Sequence, residues 1–281
     1  MHIEFQQDDV LGTKKLSGQT LFLFFLFFLF TSSRCSAEPS LSLATLKERS
    51  AKLASSVLDV DALRQAVQFC EQILAEKPDD FETLVLLSRV CWSLGNHEEN
   101  VKKQKEWFDR GQKLANKAKM LCPDKPDGHY WHGINYGEWV DRSSIFSKIG
   151  AKRIILQDME KVLALNPKYD GGGAYIVIGR INYLSPGGSY SKAIEYFEKS
   201  ISLNPRRTTA YLYLGELYLH EHVFDKAEKA LKKVLAMEID PRFAIEARND
   251  RKMAERLIKK LNKKESRFPE QNSIREQSIP Q

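Results

Sequence analysis

Three glycines, Gly171–Gly173, open an apolar run in YDGGGAYIVIGRINYLSPGG, residues 169–188. Bare backbone ahead of a helix is what phosphate binding requires, because the first N–H groups of a helix are free to meet an anion. The details exclude a nucleotide site. A dinucleotide loop follows a strand and needs a third glycine at a set place, where Ile176 stands here. A phosphate loop of the other kind needs Gly-Lys-Ser/Thr, which is absent. His129 and His132 lie one helical turn apart, but no third ligand follows at a convincing spacing and HExxH is missing, so no metal is expected. His220 and His222 point to different faces of a helix. No GxSxG nucleophile motif occurs. Glu98 and Glu99 lie on a polar stretch and read as solvated. These residues predict a binding protein without cofactor or metal, and not an enzyme.

The elements that must position such residues are helices. Apolar residues recur at three- and four-residue spacing in LATLKERSAKLASSV, LRQAVQFCEQILAEKP and YLYLGELYLHEHVFDKAEKALKKVLAM. Five helix ends run into a proline, at Pro78, Pro123, Pro167, Pro205 and Pro241. The spacing narrows from 45 to 36 residues and approaches the 34-residue tetratricopeptide period. Within the last two units, Tyr175, Ile178 and Gly179, then Tyr211, Leu214, Gly215 and Tyr218, fall at the signature places of the first helix. Ala193 and Ala227 are the small residues where the second helix crosses it. The fold class is all-α: a tetratricopeptide-like α-solenoid of about five helix pairs, with two inserted hairpin extensions at 96–112 and 138–153. The repeat domain is expected over 41–262, with a disordered tail over 263–281. Gly171–Gly173 fall between the third and fourth pairs, where positive backbone angles and missing side chains ease the passage into the next helix.

Hydrophobic content of 42% and charged content of 28% suit a globular chain. The net charge of +6 is spread among acidic residues, and no basic patch alternates with aromatics, so nucleic acid is not an expected partner. Residues 1–37 read as a signal peptide or N-terminal anchor: Lys14 and Lys15, the apolar LFLFFLFFLF, and a small-residue exit at Ala37. Contact with a membrane is expected only through this segment. Cys35 is a lipidation candidate, although Arg34 before it is larger than such signals accept. Without Cys35 three cysteines remain, Cys70, Cys91 and Cys122, and buried free thiols are expected. The expected location is periplasmic or otherwise exported.

HYWHGINYGEW, VLALNPKYDGGGAYIVIGRINYLSPGG, SYSKAIEYFEKSISLNP and VLAMEIDPRFAIEARNDRKMAERLIKKL together resemble the TatT family, the tetratricopeptide-like component associated with TRAP transporters. The resemblance covers about residues 60–262. It implies a trimer, an apolar cleft for a small molecule, and a TRAP substrate-binding protein as partner. The regulators of microtubule dynamics also resemble this chain, with a tryptophan-rich helix before a Leu-Asn-Pro exit. The secretory signal favours the exported family over a cytosolic one.

Whichever family applies, the first helix of each pair should line the concave side. The candidate ligand-binding residues there are Arg89, Trp92, Tyr130, Ile134, Asn135, Glu138, Tyr175, Arg180, Tyr183, Leu212 and Glu216. Aromatics beside isolated charges suit an apolar or carboxylate-bearing small molecule, with Arg180 or Arg89 holding the carboxylate in a two-pronged contact. The competing assignment pairs Arg180 with Glu216, its counterpart one repeat on, as a structural ion pair. The same face used for a peptide or helix would make the protein a general interaction scaffold.

Overall fold

The computed structural model describes residues 41–144, 150–185 and 188–265. The signal or anchor at 1–37, Cys35, the stretch 145–149 within the second inserted extension, Pro186, Gly187 and the tail from 266 lie outside the described residues. The described chain is an all-helical tetratricopeptide-type solenoid. Five helix pairs follow one another: α1 (Leu43–Ser55) with α2 (Val60–Glu76), α3 (Phe81–His97) with α4 (Val101–Leu121), α5 (Pro126–Asp141) with α6 (Ala151–Leu165), α7 (Gly173–Leu184) with α8 (Tyr190–Leu203), and α9 (Thr208–His220) with α10 (Phe224–Ala236). A final helix, α11 (Ala244–Glu265), closes the stack and runs three residues past the end expected for the repeat domain. None of the described helices is long and apolar enough to cross a membrane.

Local chemistry explains the boundaries. Asp59, Asp80, Asn100 and Ser189 cap the starts of α2, α3, α4 and α8, their side-chain oxygens accepting from backbone N–H groups of the first turn. Each of the five prolines follows the end of a second helix, where it cannot continue the ladder. Small residues set the approach within each pair. A methyl added at Gly179 would come within 2.7 Å of the Phe197 ring, and one at Gly215 within 2.6 Å of Leu231. Ala193 and Ala227 are fully buried, as their spacing predicted. The extension expected at 96–112 takes another form. Only a short turn separates α3 from α4, and the added residues lengthen α4 to 21 residues. Helix continues there because Asn100 starts a new ladder at once, leaving no loop to fold over the concave face.

Every helix packs on the next, and first helices also touch across repeats: α1 with α3, α3 with α5, α7 with α9, and α9 with α11. That second set of contacts makes the first helices the inner wall. The stack curls until its ends approach. Arg248 of α11 brings Nη2 within 3.5 Å of Nδ1 of His97 at the end of α3, and an open groove lies between residues 55–61 and Pro241 with Ala244. Cys70 and Cys91 are buried free thiols, their pKa values raised by burial to about 11 and about 12, and Cys122 is also free.

Candidate functional site

The inner wall of repeats three to five holds a group of half-buried polar side chains. Arg180 of α7 lies with its guanidinium 4.4 Å from the centre of the Tyr213 ring. Glu216, one turn beyond Tyr213 on α9, is half-buried. The two charges feel one another, yet they form no ion pair within 4.0 Å, so the structural pairing considered for them does not form as a contact. Burial pushes the Glu216 carboxyl above the usual range, against the opposing pull of Arg180. Glu138 and Asp141 of α5 also act on Arg180 through space. Glu138 itself accepts from Arg142 at 2.6 Å. Tyr183 closes one side, its ring 5.9 Å from Tyr190 and 6.1 Å from His220. The arrangement can offer donors from Arg180 and an acceptor at Glu216 to a ligand lying across the two helices.

The structure disperses the other predicted residues. Arg89 is half-buried and donates to the Ala54 carbonyl at 3.2 Å, tying α3 to α1. Trp92 packs against Trp131 at 6.0 Å, with its Nε1 buried and no acceptor among the described residues. Ile134 packs against the cluster around Tyr130, Trp131 and Met159. Tyr175 turns its ring onto Tyr196 of α8. Three candidates are corrected to core positions. Tyr130 is 2% exposed, and its hydroxyl donates to Asp170 at 2.5 Å. Asn135 is fully buried, donating to the Trp131 carbonyl and to Ser88 while a glycine, Gly111, makes room for it. Leu212 is packed with Leu231, Val234 and Ala254 between α9, α10 and α11. In each case a neighbouring helix covers the side that the repeat pattern assigned to ligand.

Tyr213 was missed as a site residue. Its signal was available, since three residues before Glu216 on a helix is the same face. Arg207 and Asp170 were also missed, and they anchor a group of hydrogen-bonded charges at a repeat junction. Arg207 is 4% exposed and donates to the Asp170 carbonyl at 2.6 Å, the Asp170 carboxylate at 3.0 Å and Glu246 at 2.9 Å. Its guanidinium lies 3.8 Å from the centre of the Phe243 ring. Asp170 carries a positive φ of 49°, as do Gly171 and Gly172 at 62° and 78°. Tyr130 and Arg207 hold this turn from two sides. Gly173 is needed because an added methyl would fall 2.2 Å from the Tyr130 hydroxyl. The three glycines therefore serve a repeat junction. Asp170 stands at the start of α7, a carboxylate oxygen 3.0 Å from where a methyl on Gly173 would lie.

His129 and His132 converge on one carboxylate. Asp158, 4% exposed, lies 2.5 Å from Nδ1 of His132 and 3.4 Å from Nδ1 of His129, and accepts from the Lys119 ammonium at 2.9 Å. Burial pushes the Asp158 carboxyl up, but the bonds from His132 and Lys119 outweigh it and leave it below the usual range. The cluster pins α4, α5 and α6 together.

With this geometry described, comparison with known proteins adds two regions of likeness. Residues 51–185 match the family model of the regulator of microtubule dynamics proteins 1–3, and residues 187–248 match a tetratricopeptide repeat model. Regulator of microtubule dynamics protein 1 of Bos taurus is 25% identical over 169 residues, which is 52% of this chain and 52% of the bovine protein. A UDP-N-acetylglucosamine–peptide N-acetylglucosaminyltransferase of Giardia intestinalis is 28% identical over 115 residues, 38% of this chain and 8% of that one. The chain thus spans about half, or far less, of the curated relatives it matches. Among solved structures, the type IV pilus biogenesis factor PilW superposes with a TM-score of 0.51 at 17% identity, covering 80% of this chain and 94% of that one, a likeness of fold. These findings overturn the TatT resemblance: HYWHGINYGEW and most of VLALNPKYDGGGAYIVIGRINYLSPGG, two of the stretches that carried it, fall within the match to the regulators. What misled was the tetratricopeptide periodicity common to such chains, weighted by the apolar N-terminal run. The TRAP partner, the trimer and the transport role rested on that resemblance and lose their support with it.

Proposed function

We propose that this protein is a non-enzymatic interaction scaffold that grips a segment of a partner protein on its concave face, at Glu138, Arg180, Tyr183, Tyr213 and Glu216. One observation carries this reading: Arg180 and Glu216 stand on adjacent repeats, both half-buried, and neither is hydrogen-bonded or ion-paired within 4.0 Å. Two other charges in the stack, Arg207 and Asp158, are by contrast each bonded more than once. A peptide laid across α7 and α9 supplies carbonyl oxygens to Arg180 and N–H groups or a cation to Glu216, with the tyrosine rings as walls. The match of residues 51–185 to the microtubule regulators directs the search for the partner to assemblies of that kind.

The test compares the full chain with Arg180→Glu and Glu216→Gln as bait, followed by titration of each purified candidate. Proteins that bind the parent chain and lose roughly tenfold or more in affinity to both variants support the reading. An unchanged set of partners and affinities overturns it. Melting curves of the two variants guard against unfolding.

A further inference from the structure

A single side chain, His97 at the end of α3, reaches both the α1–α2 turn and the last helix. Its Nε2 lies 2.8 Å from the Val57 carbonyl oxygen, and its Nδ1 lies 3.5 Å from Nη2 of Arg248 on α11. Among the described residues the second contact is the side-chain hydrogen bond that joins α11 to the first two pairs, across 151 positions of sequence. The partners fix where the ring carries its hydrogen. A carbonyl only accepts, so Nε2 bears the N–H, and the neutral ring offers Nδ1 as an acceptor to the guanidinium. A second proton has one place to go, on Nδ1. There it removes the acceptor and sets an imidazolium against a guanidinium. Histidine is the side chain that gains such a charge as pH falls from about 8 to 5.

We propose that His97 is an acid-sensitive latch: neutral, it ties the two ends of the superhelix together, and protonated, it releases α11 from the α1–α2 turn and widens the groove between residues 55–61 and Pro241 with Ala244. The charged groups around it are engaged elsewhere and do not offset the clash. On the turn, Asp59 accepts from the N–H groups of Asp61 and Ala62, and Asp61 lies 3.6 Å from Arg64. Glu98, next along the chain, accepts from the N–H groups of Glu99 and Asn100 and faces Lys103 and Glu106 of α4 in a separate groove. Arg89 of α3 donates to the Ala54 carbonyl, and Glu138 of α5 is held by Arg142. Beside α11, Asp240 is paired with Arg242 and Glu246 with Arg207, while Arg251 turns to the Met237 carbonyl. The release is local, because α11 keeps its packing on α9 and α10 and α1 its packing on α2.

The experiment follows energy transfer between fluorophores attached at Lys52→Cys on α1 and Asn249→Cys on α11, both exposed positions, in the full chain from about pH 8 to pH 5. Cys35→Ser and Cys122→Ser leave only the buried thiols Cys70 and Cys91 besides the labelled ones. Transfer in this parent is expected to fall as the pH falls. His97→Gln keeps an N–H for Val57 and an oxygen for Arg248 but takes up no proton, so its transfer is expected to stay constant. Arg248→Gln removes one of the two opposed charges and is expected to lose most of the parent's change. Glu246, whose pKa of about 7 lies in the same range, is intact in both variants, so its titration does not separate them from the parent. A parent whose transfer does not change overturns the inference, as does an equal fall in His97→Gln. An equal fall in Arg248→Gln overturns it too, since the two charges would then not oppose one another. Circular dichroism is recorded at each pH, and loss of helix in step with the fall overturns the latch in favour of unfolding.

Discussion

Arg180 and Arg207 are the same residue type, one repeat apart, and the fold treats them in opposite ways. Arg207 sits where one pair hands over to the next, and its fork is used on two carboxylates and a carbonyl. Arg180 sits in the body of a first helix, rests on one ring, and has carboxylates nearby but none in contact. At a junction, loop backbone and helix ends leave polar groups that only a side chain can satisfy. In mid-helix the backbone satisfies itself, and a charged side chain is left to face the groove. The difference separates a residue that holds repeats together from one available to a ligand.

Breaking the junction should have the largest effect. Arg207→Ala leaves the half-buried Asp170 and Glu246 without their cation and is expected to cost roughly 3 kcal/mol in denaturant unfolding. Arg207→Lys should not restore it, because an ammonium lacks the fork that reaches both carboxylates. Asp158→Ala comes next, at about 2–3 kcal/mol, since it strips the shared acceptor from Lys119 and His132. The parent chain should lose the Asp158 contribution as pH falls. Its folded pKa is depressed, so its stabilisation is present above the unfolded value of about 4 and fades below it. Gly173→Ala should cost about 1–3 kcal/mol by driving a methyl into the Tyr130 hydroxyl. A drop within experimental error would show that the turn yields and that the junction is not rigid.

A graded pH effect sharpens the same comparison. Arg207 divides one positive charge between two carboxylates, so burial leaves Glu246 short of compensation and pushes its pKa up to about 7. A raised folded pKa favours the protonated form. Stability from this group is full below the unfolded value of about 4.3 and declines as pH rises through about 7. Glu246→Gln should flatten that decline in Tm measured from pH 5 to pH 8. The smallest expected effect is Arg180→Ala, at about 1 kcal/mol or less, the range of one cation–π contact. A loss as large as that of Arg207→Ala would erase the distinction and with it the claim that Arg180 is free for a partner.

The repeat boundaries were legible because they are local. Caps such as Asp80 and Asn100, exits such as Pro167 and Pro205, and the close approaches at Gly179 and Gly215 each depend on a few neighbouring residues. The candidate site was legible in half. Arg180, Tyr183, Glu138 and Glu216 fall together as the face predicted, whereas Tyr130, Asn135 and Leu212 fall under a neighbouring helix. A helical wheel gives the direction of a side chain from its own axis. Whether that direction meets groove or neighbour depends on the crossing angle between helices, which residues far apart in the chain set together.

The amino-acid sequence by itself determined the helices, their pairing in hairpins and the stacking of similar units, because apolar periodicity and short connections leave few other ways to bury those faces. The tertiary structure alone decided how the charges are shared. Asp170, Arg207 and Glu246 are separated by 37 and 39 positions, and Lys119 by 39 from Asp158. Their meeting is a product of superhelical curvature. The same curvature holds Arg180 and Glu216 near one another without an ion pair.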